Sequence, residues 1–132
     1  MNNISFKKIS FELKKINIAR FDLVVGIASG GIVPASLIAE RIGADLKIIR
    51  INYRDEFNIP QRAEPVCLDK ISVRSKHSRI LIVDDVSVTG KTLELARRLL
   101  KGSIIKTFVL KGKADYVLFP KIKACVRWPW KI

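Results

Sequence analysis

The chain has 132 residues, 48% of them hydrophobic, which suits one domain around a single core and excludes disordered and fibrous classes. Its 25 Lys and Arg against 12 Asp and Glu leave a net charge of +13, a field that draws phosphorylated small molecules and nucleic acid alike. Cys67 and Cys125 are too few for a disulfide framework or a four-ligand metal site, and a lone His77 weakens any metal or Ser-His-Asp reading further.

Residues 1–11 are polar and basic, without the apolar stretch of a signal peptide, and no apolar run approaches the roughly 20 residues of a membrane span. A cytoplasmic protein with no membrane partner is therefore expected. Phe6, Ile9, Leu13 and Ile16 recur at helical spacing with Lys7, Lys8, Lys14 and Lys15 off the stripe, which predicts an amphipathic helix capped by Ser5. Residues 22–27 read as a buried strand. Ala28, Ser29, Gly30 and Gly31 form a turn into a helix over 32–42, where Pro34 is tolerated in the first turn and Gly43 ends the run. A second strand is predicted over 46–51.

Between 53 and 78 the periodicity fails. Pro60, Pro65 and alternating charges predict a long excursion, with a short strand near Val66, Cys67 and Leu68. Loops of that length in a small domain are usually lids or binding loops. The strand 80–83 follows, then a helix from Thr92 whose apolar face (Leu93, Leu95, Ala96, Leu99, Leu100) stops at Gly102. Strands are predicted over 104–110 and 116–119, with a short one near Cys125 and Val126. Strands alternating with helices predict a single-domain α/β fold with a mostly parallel sheet flanked by helices. Residues 101–132 carry Lys101, Lys106, Lys111, Lys113, Lys121, Lys123, Arg127 and Lys131 against Asp115 alone, a distribution that solvated surface lysines also produce.

The most informative stretch is 80–92. Ile80, Leu81, Ile82 and Val83 run straight into Asp84 and Asp85, and a polar loop with Gly90 leads into the next helix. An unbroken apolar run predicts a strand buried on both faces, and the crevice beyond the carboxyl end of such a strand is where open α/β sheets bind ligands. Gly90, Lys91 and Thr92 invite comparison with the P-loop of nucleoside triphosphatases. That loop needs glycine five positions before its second glycine; here the position is Asp85, whose charge repels a triphosphate. The carboxylates instead suit vicinal hydroxyls. The amides of 86–90, the start of the helix and the hydroxyls of Thr89 and Thr92 suit an anion. Together they match a ribose 5-phosphate.

The run Val83, Asp84, Asp85, Val86, Ser87, Val88, Thr89, Gly90, Lys91, Thr92 resembles the phosphoribosyl-pyrophosphate (PRPP) signature of the type I phosphoribosyltransferases. The resemblance implies that Asp84, Asp85, Val86, Ser87, Val88, Thr89, Gly90 and Thr92 bind ribose and 5-phosphate. The turn Ala28, Ser29, Gly30, Gly31 resembles the family's pyrophosphate loop. Further on, Leu110, Lys111, Asp115, Tyr116, Val117, Val126, Pro129 and Trp130 resemble in order and spacing the bacterial xanthine-guanine (6-oxopurine) enzymes. Lys111, Cys125 and Val126 are thereby expected at the base, and the chain is expected to divide into a core of 20–112, a flexible loop of 53–78 and a small base-site hood over 113–132. For Trp128 and Trp130, core packing and a base-site role are both open readings.

What the resemblance implies is transfer of a 5-phosphoribosyl group from PRPP to a nucleobase, a purine first, in nucleotide salvage. It also implies Mg2+ held mostly by substrate, with Asp84 or Asp85 contributing, and a homodimer. Arg54, Arg62, Arg74 and Lys76 of the excursion are available to the diphosphate. The chain departs from its relatives at three positions: Val88 stands where many 6-oxopurine enzymes have a general-base Asp, Ser29 where the xanthine-guanine enzymes have Arg, and Cys125 where they have a stacking aromatic. No catalytic acid or base is assigned. The alternative is a PRPP- or nucleotide-binding regulatory protein whose basic surface holds RNA, the less favoured partner.

Overall fold

The computed structural model describes residues 2–52, 66–67, 78–100 and 104–131. In chain order the elements are β1 (Asn2–Asn3), α1 (Phe6–Lys15), β2 (Leu23–Ala28), α2 (Ile32–Ile42), β3 (Asp45–Asn52), β4 (Val66–Cys67), β5 (Arg79–Ser87), α3 (Lys91–Leu99), β6 (Ile104–Gly112), β7 (Tyr116–Val117) and β8 (Val126–Arg127). The main sheet has the order β4-β3-β2-β5-β6-β7. Five of its strands are parallel, and β4 pairs antiparallel with β3 at the edge. The mostly parallel α/β architecture read from the sequence is the observed one.

Alternation along the central strands divides the core into two layers. Val24, Leu81, Val83, Phe108 and Leu110 face one side, where Ile9 and Leu13 of α1 and Ala35 and Ile38 of α2 cover them. Leu23, Val25, Ile27, Ile80 and Ile82 face the other, under Leu93 and Ala96 of α3. Helices on both faces explain why the central strands carry no polar alternation. Ser5 caps α1 as expected, its Oγ accepting from the Lys8 amide at 3.1 Å. The α2 helix runs over the predicted residues and ends at Gly43.

Several expectations shift. The strand predicted over 80–83 runs from Arg79 to Ser87, so Asp84 and Asp85 lie inside β5 rather than after it. Pairing with β6 continues to Ser87↔Gly112 while pairing with β2 stops at Gly26↔Val83, and that one-sided support carries the strand past its apolar run. The α3 helix stops at Leu99 with Leu100 extended, and Leu99 is 42% exposed instead of lying on the apolar face. Asp22 precedes β2 and clamps the amino edge of the sheet, its Oδ2 accepting from the Arg79 amide at 3.0 Å and Ser78 Oγ at 3.2 Å. The β1 strand went unread; it pairs in parallel with β8 as a separate two-stranded sheet. Of the excursion, the strand at Val66 and Cys67 is present; Leu68, Arg54, Arg62, Arg74, Lys76 and the candidate lid lie outside the described residues.

Asp115 holds the turn between β6 and β7. Its Oδ2 accepts from the Thr107 amide at 2.9 Å, Thr107 Oγ1 at 3.1 Å and Arg97 Nη2 at 3.2 Å. Partial burial works to raise its pKa, but these donors outweigh it and hold the carboxyl below the ordinary range. A depressed carboxyl adds stability that is present above about pH 4 and is lost as pH falls through the folded-state pKa. Asp115→Ala should cost about 1–2 kcal/mol at pH 7, allowing for solvent screening, and less at pH 3. Urea unfolding at the two pH values checks this.

Candidate functional site

The order of the main sheet reverses at the boundary between β2 and β5. From β2 the chain crosses through α2 to β3 on one side; β5 then inserts on the other side and leads to β6. The loops leaving β2 and β5 therefore diverge, opening a crevice at the carboxyl ends of the strands, as switch points in open α/β sheets do. A cavity of about 230 Å³ occupies it, lined by residues 27–30 and 84–93 with Ile51 and Lys131.

The floor is the carboxylate pair. Asp84 Oδ1 accepts from the Asp85 amide and Asp85 Oδ1 from the Val86 amide, both at 2.8 Å, so each side chain is locked by the backbone beside it. Asp85 is only 9% exposed, and its carboxylate lies against Gly30, where an added Cβ would collide with it. Burial of the Asp84 carboxyl, followed by the charge of Asp85, pushes its pKa well above the ordinary carboxylate range; Lys131 pulls the other way.

The wall from β2 is the turn 28–31, in which the Ala28–Ser29 peptide is cis. Gly31 is wedged beneath it: a Cβ there would lie 2.6 Å from both Ile27 O and Val83 O. The Gly31 amide donates to Ile27 O at 2.8 Å and the Ile32 amide to Ser29 O at 3.2 Å, so neither is available to a ligand. Among the described residues no acceptor takes the amides of Ser29 and Gly30. Gly31 thus supports the turn from outside the cavity lining, while Ala28, Ser29 and Gly30 form its surface.

The opposite wall is the loop from Val86 to Thr92. Gly90 adopts φ +84°, a left-handed conformation that glycine takes without strain, and starts α3 with no side-chain cap. The first amides of a helix lack intrahelical acceptors. Here, among the described residues, the amides of Val88, Thr89 and Gly90 also have none, while Thr89 Oγ1 accepts from the Lys91 amide at 3.3 Å. Ser87 Oγ is buried and without a hydrogen-bond partner. Unpaired amides, a hydroxyl and a positive helix end on one cavity wall are the groups of an anion nest. Val88 is 56% exposed at its rim and carries no group able to move a proton.

All eight residues expected at ribose and 5-phosphate line this one cavity, with Ala28, Ser29 and Gly30. Lys111, Cys125 and Val126 do not. Lys111 sits opposite Val86 near the end of β6, Cys125 is exposed with its carbonyl accepting from the Asn2 amide at 3.0 Å, and Val126 belongs to β8. Trp128 is buried and stacked on Phe119, and Trp130 stacks on Trp128; both pack, and neither lines the cavity. Sequence reasoning passed over Lys131 and Ile51 as site residues, because no local pattern brings either to the signature. No group of three or more His, Cys, Asp and Glu among the described residues is arranged to hold a metal.

The family model described as "Phosphoribosyl transferase domain" matches residues 3–130. Among curated proteins, an orotate phosphoribosyltransferase of Staphylothermus marinus is 33% identical over 116 residues, which are 86% of this chain and 53% of that protein. The transcriptional regulator GfcR of Methanosarcina mazei is 32% identical over 120 residues, 87% of this chain and 57% of that protein. The chain spans about half the length of these curated relatives. Among solved structures, a purine phosphoribosyltransferase from Pyrococcus horikoshii superposes with a TM-score of 0.78 at 27% identity, covering 97% of this chain and 92% of that one.

Two glycines in sequence should respond differently. Gly31→Ala forces backbone apart and should destabilise the fold by about 2–3 kcal/mol. Gly30→Ala meets a side chain, so it should displace Asp85 and lose ligand binding with a smaller cost in stability; denaturant titration with calorimetric binding separates them. Asp84 supplies a pH signature. A carboxyl raised on folding takes up a proton, so the fold loses stability as pH rises from about 4 through the folded-state pKa. In magnesium-free buffer, Asp84→Asn should therefore raise the unfolding midpoint by about 4 °C at pH 7 and leave it unchanged near pH 3.

Proposed function

The chain belongs to the phosphoribosyl transferase domain family, and from that premise we propose that it transfers the 5-phosphoribosyl group of PRPP to a nucleobase, a purine first, releasing pyrophosphate. The observation that carries this reading is the locked Asp84 and Asp85 pair lying between two loops that offer backbone amides. Vicinal ribose hydroxyls donate to the carboxylates. The 5-phosphate takes the nest of 86–90 with Ser87 Oγ, Thr89 and Thr92, and the diphosphate takes Ser29 and Gly30. The bond broken joins ribose C1 to diphosphate oxygen, and the bond formed joins C1 to a base nitrogen.

Charge in the transition state resembles an oxocarbenium ion next to a departing diphosphate, so positioning and electrostatics carry the acceleration. Asp84 and Asp85 fix the ring by its hydroxyls and place negative charge beneath the developing cation. Val88, at the rim, cannot accept the base proton, so the base must deprotonate to solvent or to a group other than this side chain. Two adjacent carboxylates, with no group of three or more candidate ligands among the described residues, fit Mg2+ that takes most of its oxygens from substrate and water. Such an ion would neutralise the diphosphate, with Asp84 or Asp85 contributing a ligand. Lys111 at the end of the core, with Cys125 and Val126 in a hood over 113–132, are kept as base-site residues, acting in a cytoplasmic homodimer that serves purine salvage.

The exposed Val88 favours a second reading. A pocket with the ribose and phosphate contacts but with Val88 where a purine-directed acid would stand suits a domain that binds PRPP or a nucleotide as a signal, and the likeness to GfcR gives that reading support. Hypoxanthine, guanine, xanthine, adenine, orotate and uracil, each with PRPP and Mg2+, should distinguish the two. Pyrophosphate release with at least one base is expected. No turnover with any, together with tight salt-dependent RNA binding, would replace transfer by the regulatory reading. Converting both Asp84 and Asp85 to Asn should weaken PRPP binding about 100-fold while leaving the fold intact; equal losses of both would make the pair structural.

A further inference from the structure

The cavity has a cation that the signature does not supply. Lys131 lines it together with Ser29, Gly30 and the carboxylate pair, although it lies some forty residues beyond the loop of 86–90 in sequence. Its position is built rather than incidental. The Lys131 amide donates to Trp128 O at 3.0 Å, closing a turn over 128–131. Trp128 is 2% exposed and stacks on Phe119 with centroids 6.2 Å apart, and Trp130 stacks on Trp128 at 5.9 Å and 12°. Phe6 of α1 closes the far side of Trp130 at 5.9 Å. Trp130 is thus held between Trp128 and Phe6, although its buried indole Nε1 has no hydrogen-bond partner. The stacked rings hold the backbone from which the Lys131 stem reaches the cavity, while the residue as a whole stays solvent-accessible.

The charges in the cavity explain the need. Asp84 and Asp85 set negative charge on the floor, and the turn 28–31 contributes a hydroxyl at Ser29 but no cation. Lys91 starts α3, on the side of the anion nest. Lys131 lines the cavity with the carboxylates, and its charge works against the rise in the Asp84 pKa. An ammonium is a mobile point charge suited to phosphate oxygens and to exchanging a carboxylate for them.

We infer that Lys131 is a diphosphate-binding residue of this cavity, supplying from the aromatic turn the positive charge that Ser29 does not. The inference rests on the phosphoribosyl reading above and names a further binding residue for it.

Calorimetric titration with pyrophosphate, PRPP and ribose 5-phosphate, in Mg2+, tests it on wild type, Lys131→Met and Lys131→Arg. Lys131→Met should bind pyrophosphate and PRPP about 10- to 30-fold more weakly, and Lys131→Arg within about threefold of wild type. Ribose 5-phosphate, which lacks the diphosphate, should change by less than about twofold with either variant. The unfolding midpoint of Lys131→Met should match wild type, since the turn is held by its rings. Wild-type affinity for PRPP in Lys131→Met, or equal weakening of ribose 5-phosphate, overturns the assignment of Lys131 alone. A wild-type protein that binds neither pyrophosphate nor PRPP overturns the phosphoribosyl reading, and this inference with it.

Discussion

The site depends on how closely the turn after β2 sits on the end of β5. Gly31 lies where a side chain would strike the carbonyls of Ile27 and Val83, and Gly30 lies where one would strike the Asp85 carboxylate. Contact at this range brings two loops, far apart in sequence, to opposite sides of one pair of acids. It also leaves Asp85 largely sealed from water. Removing that contact would leave the same sheet and the same core, but the acids would face open solvent and the two walls would no longer share a ligand.

Electrostatics follow from that packing. The molecule carries +13 overall, yet its cavity floor is acidic, and Asp84 is held in a state that disfavours its own charge. Such a floor is costly to the empty protein and gains when hydroxyls, a cation or both arrive. The surrounding positive field draws polyanions toward the crevice, while the acidic floor disfavours an anion resting directly on it. Stability and recognition therefore oppose each other at Asp84, in a region that the apolar layers on both faces of the sheet are able to support.

The regular elements and the signature were legible because their information is local. Four aliphatic residues before two acids, a capping serine before an apolar helical stripe, and a glycine just past α2 each signal their conformation within a few residues. Boundaries were less legible where a neighbouring strand decides them: β5 runs on to Ser87 because β6 pairs with it that far. The β1 and β8 pairing was invisible, since two residues at each end carry no periodicity and meet only in the folded chain. The tryptophans similarly read two ways until Phe6 and Phe119 were seen against them.

The amino-acid sequence by itself determined the α/β class, the family and the stretch that lines the main cavity, because a buried strand, an acid pair and a glycine turn are chemical requirements written contiguously. Only the tertiary structure decided which loop amides remain open to a ligand, that Gly31 supports the turn instead of lining the cavity, and that Lys131 enters it. Those properties belong to distances between segments well separated in the chain. Close packing of glycine backbone on one side, and a stack of aromatic rings on the other, set those distances.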